Sequence, residues 1–131
     1  MGLLDGNVLV TGATGGIGQA IAQAFAARGA KLVLSGRRAD LLATLAADLG
    51  ARAVAADLGE RAEVARLVAE AGEVDVLVAN AALPGTGLLT DLSQPQIDQM
   101  LEVNLRAPVA LARALTPGMI ERGHGHIVFI S

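Results

Sequence analysis

The stretch of sequence that decides the fold is Thr11-Gly12-Ala13-Thr14-Gly15-Gly16-Ile17-Gly18. It follows the apolar run Asn7–Val10 and precedes a helical pattern over 19–27. Glycine lets the backbone turn sharply and approach a ligand, and the first turn of the following helix presents unpaired N–H groups with a partial positive charge. A strand, a glycine turn and a helix in this order therefore predict a site for a pyrophosphate, and with it a dinucleotide.

Composition indicates one globular domain that does not bind nucleic acid. The 131 residues are 53% hydrophobic and only 2% aromatic, so we expect a core of Ala, Val, Leu and Ile. The net charge is -3, and the ten Lys and Arg residues are scattered, which leaves no basic surface for nucleic acid. The sequence has no cysteine, which excludes disulfides and zinc-thiolate sites.

The sequence gives no sign of export, of a membrane span or of a metal centre. No apolar run approaches the roughly 18 residues that a membrane helix needs, and residues 1–6 lack the basic start and apolar stretch of a signal peptide. We therefore expect a cytoplasmic protein without a membrane partner. His124 and His126 alternate along the chain, but no third ligand lies near them in sequence, so we expect no metal site.

Short β-rich runs alternate with helix-period runs along the whole chain. Five strands are expected over 7–10, 31–35, 52–55, 74–78 and 126–130, and four helices over 17–28, 41–49, 64–71 and 95–121. Right-handed crossovers between parallel strands predict the sheet order 3-2-1-4-5, a Rossmann-type doubly wound α/β fold. Ligands of such sheets bind at the carboxyl ends of the strands where the order reverses, here between the first and fourth strands.

The glycine turn fits two related patterns. The spacing T-G-x-x-x-G-x-G runs through Gly12, Gly16 and Gly18, and the spacing T-G-x-x-G-x-x-G runs through Gly12, Gly15 and Gly18. Glycine-rich turns also occur in many unrelated α/β folds, so this motif alone does not decide between the two patterns.

Three further motifs decide the matter, because with them the chain resembles the short-chain dehydrogenase/reductase family. Asp57-Leu58 matches the Asp-Leu pair that the family places near adenine, and Ala79-Asn80-Ala81-Ala82 resembles its Asn-Asn-Ala-Gly. Val103-Asn104-Leu105 matches the asparagine motif of its long helix. Ala79 and Ala82 depart from the family pattern, and the second departure adds a methyl group where the backbone approaches the cofactor. The same residues argue against an epimerase-like branch, which shares the second glycine pattern.

The resemblance implies a nicotinamide dinucleotide bound at the carboxyl edge of the sheet. Two assignments have plain structural alternatives: Asp57 could cap the next helix, and Asn80 could be an ordinary turn residue. The cofactor-binding residues that we predict are Gly12, Thr14, Gly15, Gly16, Ile17, Gly18, Arg37, Arg38, Asp57, Leu58, Asn80, Ala81, Ala82 and Val103.

Arg37 and Arg38 follow the second strand, at the place where dinucleotide folds select between NAD and NADP. An acidic residue there would bind the ribose hydroxyls of NAD, whereas arginine offers a permanently charged fork for a 2′-phosphate. The sequence therefore favours NADP over NAD. The alternative is that both arginines are only solvated at the start of a helix.

Asn104 is the candidate catalytic residue of this chain. Pro108 has no N–H, so the carbonyl group of Asn104 loses its usual helical partner and the helix should bend. The resemblance implies that the main chain of Asn104 holds a water in a proton relay. The alternative is a kink that only lets the long helix wrap around the sheet.

The catalytic serine and the Tyr-x-x-x-Lys pair of the family have no counterpart in this sequence. It contains no tyrosine, and Ser131 aligns one residue before the family's catalytic serine. We therefore expect residues 1–131 to be the cofactor-binding part of a short-chain oxidoreductase that acts on a carbonyl or alcohol, truncated after the fifth strand and inactive alone. The alternative is a non-catalytic dinucleotide-binding or scaffold module. A possible surface for a homo-oligomer comprises Leu101, Leu105, Leu111 and Leu115.

Overall fold

Five parallel strands form one sheet in a computed structural model that describes residues 5–131. The strands are β1 (Asn7–Val10), β2 (Lys31–Gly36), β3 (Arg52–Ala55), β4 (Val76–Ala79) and β5 (His126–Phe129). Their spatial order is β3-β2-β1-β4-β5, and every neighbouring pair is parallel, which confirms the predicted doubly wound topology. Residues 1–4, part of the segment for which we expect no signal peptide, lie outside the described residues.

Helices cover both faces of this sheet. They are α1 (Gly16–Ala27), α2 (Ala39–Leu49), α3 (Arg61–Ala71), α4 (Gln94–Leu101) and α5 (Ala107–Arg122), with a 3₁₀ turn over Leu89–Asp91. Gly50 ends α2 and Gly123 ends α5 in the left-handed conformation, with φ of 65° and 79°. Glycine adopts that conformation without strain, which explains where these two helices stop.

The fourth predicted helix is two α-helices joined by a π-helical segment, Glu102–Arg106. The N–H of Ala107 bonds to the carbonyl of Glu102, five residues earlier. Pro108 has no N–H to continue the four-residue ladder, so a wider turn just before it is the physical outcome. The sequence predicted a bend at this point but not its π-helical form.

The core has two layers, one on each face of the sheet. On one face α1 and α2 cover apolar residues such as Val10 and Leu34. On the other face α3 and α5 cover a second cluster that includes Leu9 and Leu77.

The prediction that Leu111 and Leu115 belong to an exposed face is wrong. Their side chains are buried in the second layer, with 0% and 6% exposed. They lie at four-residue steps along α5, as do the buried Ala107 and Met119, and this row of residues faces the sheet. Leu101, which the same prediction placed beside them, is exposed.

Candidate cofactor site

The turn between β1 and α1 is built on glycines that the chain needs for two different reasons. Gly12 has a φ of +62°, and a Cβ there would stand 2.8 Å from the Cα of Ala81. A Cβ at Gly18 would stand 2.0 Å from the carbonyl oxygen of Gly12. At Gly16 a Cβ would meet nothing within 4 Å. Gly12 and Gly18 therefore let the backbone pack on itself, whereas Gly16 opens the start of α1 to whatever occupies the space in front of it.

The ends of β1 and β4 are tied together where the strand order reverses. The Oγ1 of Thr11 accepts hydrogen bonds from the N–H groups of Asn80 at 3.0 Å and of Ala81 at 3.2 Å. The Nδ2 of Asn80 donates to the carbonyl of Gly12 at 3.2 Å. Asn80 thus ties the glycine turn to the end of β4, and its place beneath a bound cofactor stays a prediction. Thr11 opens the quoted motif, but we did not predict its part in this network.

A cavity of about 490 Å³ lies above these strand ends. It brings together the glycine turn, the end of β2, the loop after β3, the loop after β4 and the π-helical segment. Its lining comprises Gly12, Thr14, Gly15, Gly16, Ile17, Ser35, Gly36, Arg37, Arg38, Ala56, Leu58, Asn80, Ala81, Ala82, Leu83 and Val103. All the predicted cofactor residues except two are in this lining.

The two exceptions are Gly18 and Asp57. Gly18 is buried at the start of α1 and serves the close packing of the turn. The Oδ1 of Asp57 accepts a hydrogen bond from the N–H of Gly59 at 2.9 Å, so this carboxylate closes its own turn. The N-cap residue of α3 is Glu60, three positions after Asp57, so the alternative in which Asp57 caps this helix is wrong. Contact between Asp57 and adenine stays a prediction, and its neighbour Leu58 reaches the cavity instead.

Sequence reasoning missed Ser35, Gly36, Ala56 and Leu83 as lining residues. Ser35 and Gly36 are the last two residues of β2, and Ala56 follows β3. Alternation along a strand predicts the face of the sheet on which a side chain lies, but not whether that side chain borders a cavity. Ser35 carried a signal: it is a polar residue in a strand that the sheet buries, and its side chain is 1% exposed. Buried hydroxyl groups are normally hydrogen-bonded.

Arg37 and Arg38 lie exposed at the mouth of the cavity, between β2 and α2. Arg38 is the N-cap residue of α2 in extended conformation, and its side chain makes no capping hydrogen bond. Within residues 5–131 neither guanidinium pairs with a carboxylate. Two unpaired cations beside a helix N-terminus, where positive charge is unfavourable, are a candidate site for an anion.

Asn104 lies in the π-helical segment and holds the loop after β4 with its side chain. Its Oδ1 accepts the N–H of Leu83 at 2.7 Å, and its Nδ2 donates to the carbonyl of Leu83 at 2.9 Å. Both polar atoms of the amide are therefore engaged with one residue of the cavity wall. Participation of the Asn104 main chain in a proton relay stays a prediction.

No group of three or more His, Asp or Glu side chains is placed to hold a metal ion in residues 5–131. In the same part of the chain, no helix combines the length and hydropathy that crossing a membrane requires.

The comparison with protein families gives one match that covers the cavity and the whole sheet. Residues 6–131 match the short chain dehydrogenase family. The chain belongs to this family. The match supports the first of the two glycine patterns over the epimerase-like branch, and the resemblance inferred from the motifs is confirmed.

Individual relatives in the short-chain family agree with this assignment. Nodulation protein G of Rhizobium sp. (strain N33) is 46% identical over 131 residues, which cover 95% of this chain and 54% of that protein. The NADP-dependent 3-hydroxy acid dehydrogenase YdfG of Escherichia coli (strain K12) is 39% identical over 130 residues, 94% of this chain and 52% of that protein. A short-chain dehydrogenase from Sphingobium yanoikuyae, solved in complex with NADPH, is 34% identical and superposes with a TM-score of 0.90. The match covers 95% of this chain and 53% of that one. The chain spans about half the length of these short-chain relatives.

Proposed function

We propose that this chain is the NADP-binding part of an oxidoreductase that transfers hydride between a nicotinamide cofactor and a carbonyl or alcohol substrate. The observation that carries the proposal is one cavity with a glycine turn at one wall and two unpaired arginines at its mouth. A dinucleotide with an additional phosphate has negative charge at both of these places.

The residues present fit NADP at several points. The open space at Gly16 admits a pyrophosphate close to the start of α1, where the helix presents N–H groups. Arg37 and Arg38 would hold the 2′-phosphate, and Ala81, Ala82 and Val103 would line the remainder of the cofactor. When bound, the nicotinamide supplies or accepts the hydride. Support also comes from the NADP named for the Escherichia coli relative and from the NADPH in the Sphingobium structure.

Within this scheme Asn104 and Asn80 position the site. Asn104 holds the cavity wall at Leu83, and its main chain would carry a water of the proton relay. Asn80 keeps the glycine turn on the end of β4. Asp57 would act near adenine through the turn that it closes, which presents Leu58 to the cavity.

Titration with NADPH and NADH, followed by calorimetry and by nicotinamide fluorescence, tests this proposal directly. We expect both nucleotides to bind, with NADPH the tighter. Absence of heat and of any fluorescence change with either nucleotide would contradict cofactor binding. Tighter binding of NADH than of NADPH would contradict the selection of NADP.

A second candidate is a dinucleotide-binding module without catalysis. It is favoured by one observation, the absence of tyrosine from these 131 residues, since the family's proton donor is a tyrosine. The two candidates differ in the turnover of a protein that also contains the family's tyrosine. For residues 1–131 both predict no NADPH oxidation with a panel of aldehydes and ketones, because these residues contain no tyrosine to donate the proton. Turnover above the background rate would contradict that expectation.

We also propose that copies of the chain associate through an apolar strip that runs from α4 through the π-helical segment into α5. Leu101, Leu105 and Val109 lie at four-residue steps and are 55%, 60% and 55% exposed. Sedimentation of the unaltered chain against the L105E variant tests this, with a shift to monomer expected for the variant.

A cytoplasmic location and the lack of nucleic-acid and membrane partners stay predictions from composition.

A further inference from the structure

Ser35 is a buried side chain that the proposed function leaves unexplained. It lies in β2, next to the last residue of the strand, and is 1% exposed. Its Oγ is the one buried side-chain polar atom for which residues 5–131 supply no hydrogen-bond partner. A hydroxyl group in such a place costs stability unless something else bonds to it. An unpaired hydroxyl at the edge of a ligand cavity therefore points to a ligand atom.

Ser35 lines the cofactor cavity, to which apolar residues of one core layer also contribute. Alternation along β2 puts its side chain on the same face as Val33, which packs in the core layer of α3 and α5. Ala56 and Leu58 of the same layer line the cavity beside it, and Ala81 packs against that layer. Ser35 thus lines the cavity together with the methyl and isobutyl groups of Ala56, Leu58 and Ala81.

The position of the charged groups decides which part of a dinucleotide these lining residues suit. In the proposed function the pyrophosphate lies at the glycine turn and the 2′-phosphate at Arg37 and Arg38, which line the same cavity. A neutral, planar ring with polar atoms on its edge suits apolar walls with a single neutral hydroxyl. A serine hydroxyl can either donate to or accept from such an edge.

We propose that Ser35 Oγ hydrogen-bonds the adenine base of the dinucleotide and is a specificity-determining residue for that base. The inference rests on the proposed function, because it takes the occupant of the cavity to be a nicotinamide adenine dinucleotide. It assigns a role to a residue that neither the motifs nor the arginines account for.

The S35A variant tests this on the full chain, by calorimetry with NADPH, NADH and nicotinamide mononucleotide. We expect S35A to weaken NADPH and NADH by the same factor, about 3- to 10-fold for one net hydrogen bond. Nicotinamide mononucleotide has no adenine, so its affinity should not change. The S35C variant, which keeps the size of the side chain with a weaker donor, should fall between S35A and the unaltered chain.

A second readout separates a ligand contact from a structural one. In the absence of nucleotide, S35A should have a midpoint of thermal unfolding equal to or above that of the unaltered chain, because it removes an unpaired hydroxyl. The matched control is T11V: Thr11 is also a hydroxyl residue, 1% exposed, but it accepts hydrogen bonds from Asn80 and Ala81. T11V should lower the midpoint because it leaves those two N–H groups unpaired.

Each contrary result has a distinct meaning. Equal affinities of S35A and the unaltered chain for NADPH overturn the inference and leave the proposed function standing. Weakening of NADPH alone would assign Ser35 to the 2′-phosphate and overturn its assignment to the base. A lower unfolding midpoint of S35A without nucleotide would show that its hydroxyl bonds within the fold, which also overturns the inference. Failure of the unaltered chain to bind any of the three ligands overturns both.

Discussion

Gly16 and Gly18 are two residues apart, yet the absence of a side chain matters differently at each. A methyl group at Gly18 would overlap the carbonyl oxygen of Gly12, 2.0 Å away, whereas one at Gly16 would meet nothing within 4 Å. We expect G18A to lower the free energy of unfolding by about 1–3 kcal/mol, the usual cost of overpacking.

The G16A variant is the matched control in the same turn. It should keep or slightly raise the free energy of unfolding, since alanine is favoured over glycine in a helix by roughly 0.5–1 kcal/mol. It should weaken NADPH roughly tenfold, because the methyl group enters the space in front of the helix. Urea denaturation and NADPH titration of both variants check the pair. An equal loss of stability in both variants would contradict the claim that a Cβ is crowded at Gly18 and free at Gly16.

The two arginines at the mouth of the cavity should determine the choice of cofactor. Arg37 and Arg38 have no carboxylate partner within the described part of the chain, so a phosphate is their only expected strong ligand. Each charge-assisted bond lost in R37A or R38A should weaken NADPH about 10- to 100-fold and leave NADH unchanged. Fluorescence titration at low and high salt measures both affinities, and the NADPH preference should shrink as salt rises.

Arg113 offers a control for the effect of net charge. It is exposed on α5, outside the cavity lining, and R113A removes the same charge. NADPH affinity should be unchanged in R113A. A loss in R113A similar to that in R37A would mean that the overall field of the protein, and not a specific phosphate site, attracts the nucleotide.

At the scale of elements, the π-helical segment and the loop after β4 form one unit through Asn104. Its amide makes two hydrogen bonds with the main chain of Leu83, at 2.7 and 2.9 Å. In N104A the N–H of Leu83 loses its acceptor, and we expect hydrogen exchange to become faster at Leu83 and its neighbours. The loss of two exposed bonds should lower the free energy of unfolding by about 1–2 kcal/mol.

The N104D variant distinguishes the two bonds. A carboxylate keeps the acceptor for the N–H of Leu83 but places an oxygen against its carbonyl, so exchange should be slower than in N104A and faster than in the unaltered chain. Unchanged exchange at Leu83 in N104A would contradict the assignment of this clamp.

The sequence predicted those elements that depend on local pattern. The alternation of strands with helices and the right-handed crossover rule led to the correct sheet order, and the motifs led to most of the cavity lining. The interpretation of the long helix was less successful: Leu111 and Leu115 are buried, whereas Leu101 and Leu105 are exposed. The six-residue step from Leu105 to Leu111 does not stay on one face of a helix, so the four residues could not share a surface. Whether the hydroxyl of Ser35 finds a hydrogen-bond partner depends on how three strands pack around it, and no residue spacing in the sequence predicts that packing.

At the scale of the whole molecule, a carboxylate at the edge of the sheet opposite the cavity connects distant segments. Asp75, 7% exposed, accepts the N–H of Asn7 at 2.9 Å and lies 3.1 Å from Nε of Arg122. The ring nitrogen Nδ1 of His124 is 3.5 Å away. One side chain thus joins the start of β1 to the end of α5 and the turn before β5. These residues are far apart in sequence, and periodicity gave no indication of the cluster.

This cluster predicts how stability depends on pH. Burial would raise the pKa of Asp75, but the hydrogen bond from Asn7 and the charges of Arg122 and His124 outweigh it and hold the pKa below the ordinary 3.8. The ionised carboxylate therefore stabilises the fold above that value, and this contribution is lost as the pH falls through the lowered pKa. D75N should lower the free energy of unfolding at neutral pH by about 1.5–3 kcal/mol, the range for a hydrogen bond to a charged group.

Urea denaturation of D75N and of the unaltered chain, repeated from neutral pH down to the acid range, measures this contribution. The difference between the two should persist above the ordinary pKa of aspartate and shrink below it, because protonation removes from the unaltered chain the charge that the variant lacks. E73Q is the control, since Glu73 is exposed and two residues away; its stability should follow that of the unaltered chain throughout. A difference that persists undiminished in acid would mean that Asp75 acts by its shape and not by its charge.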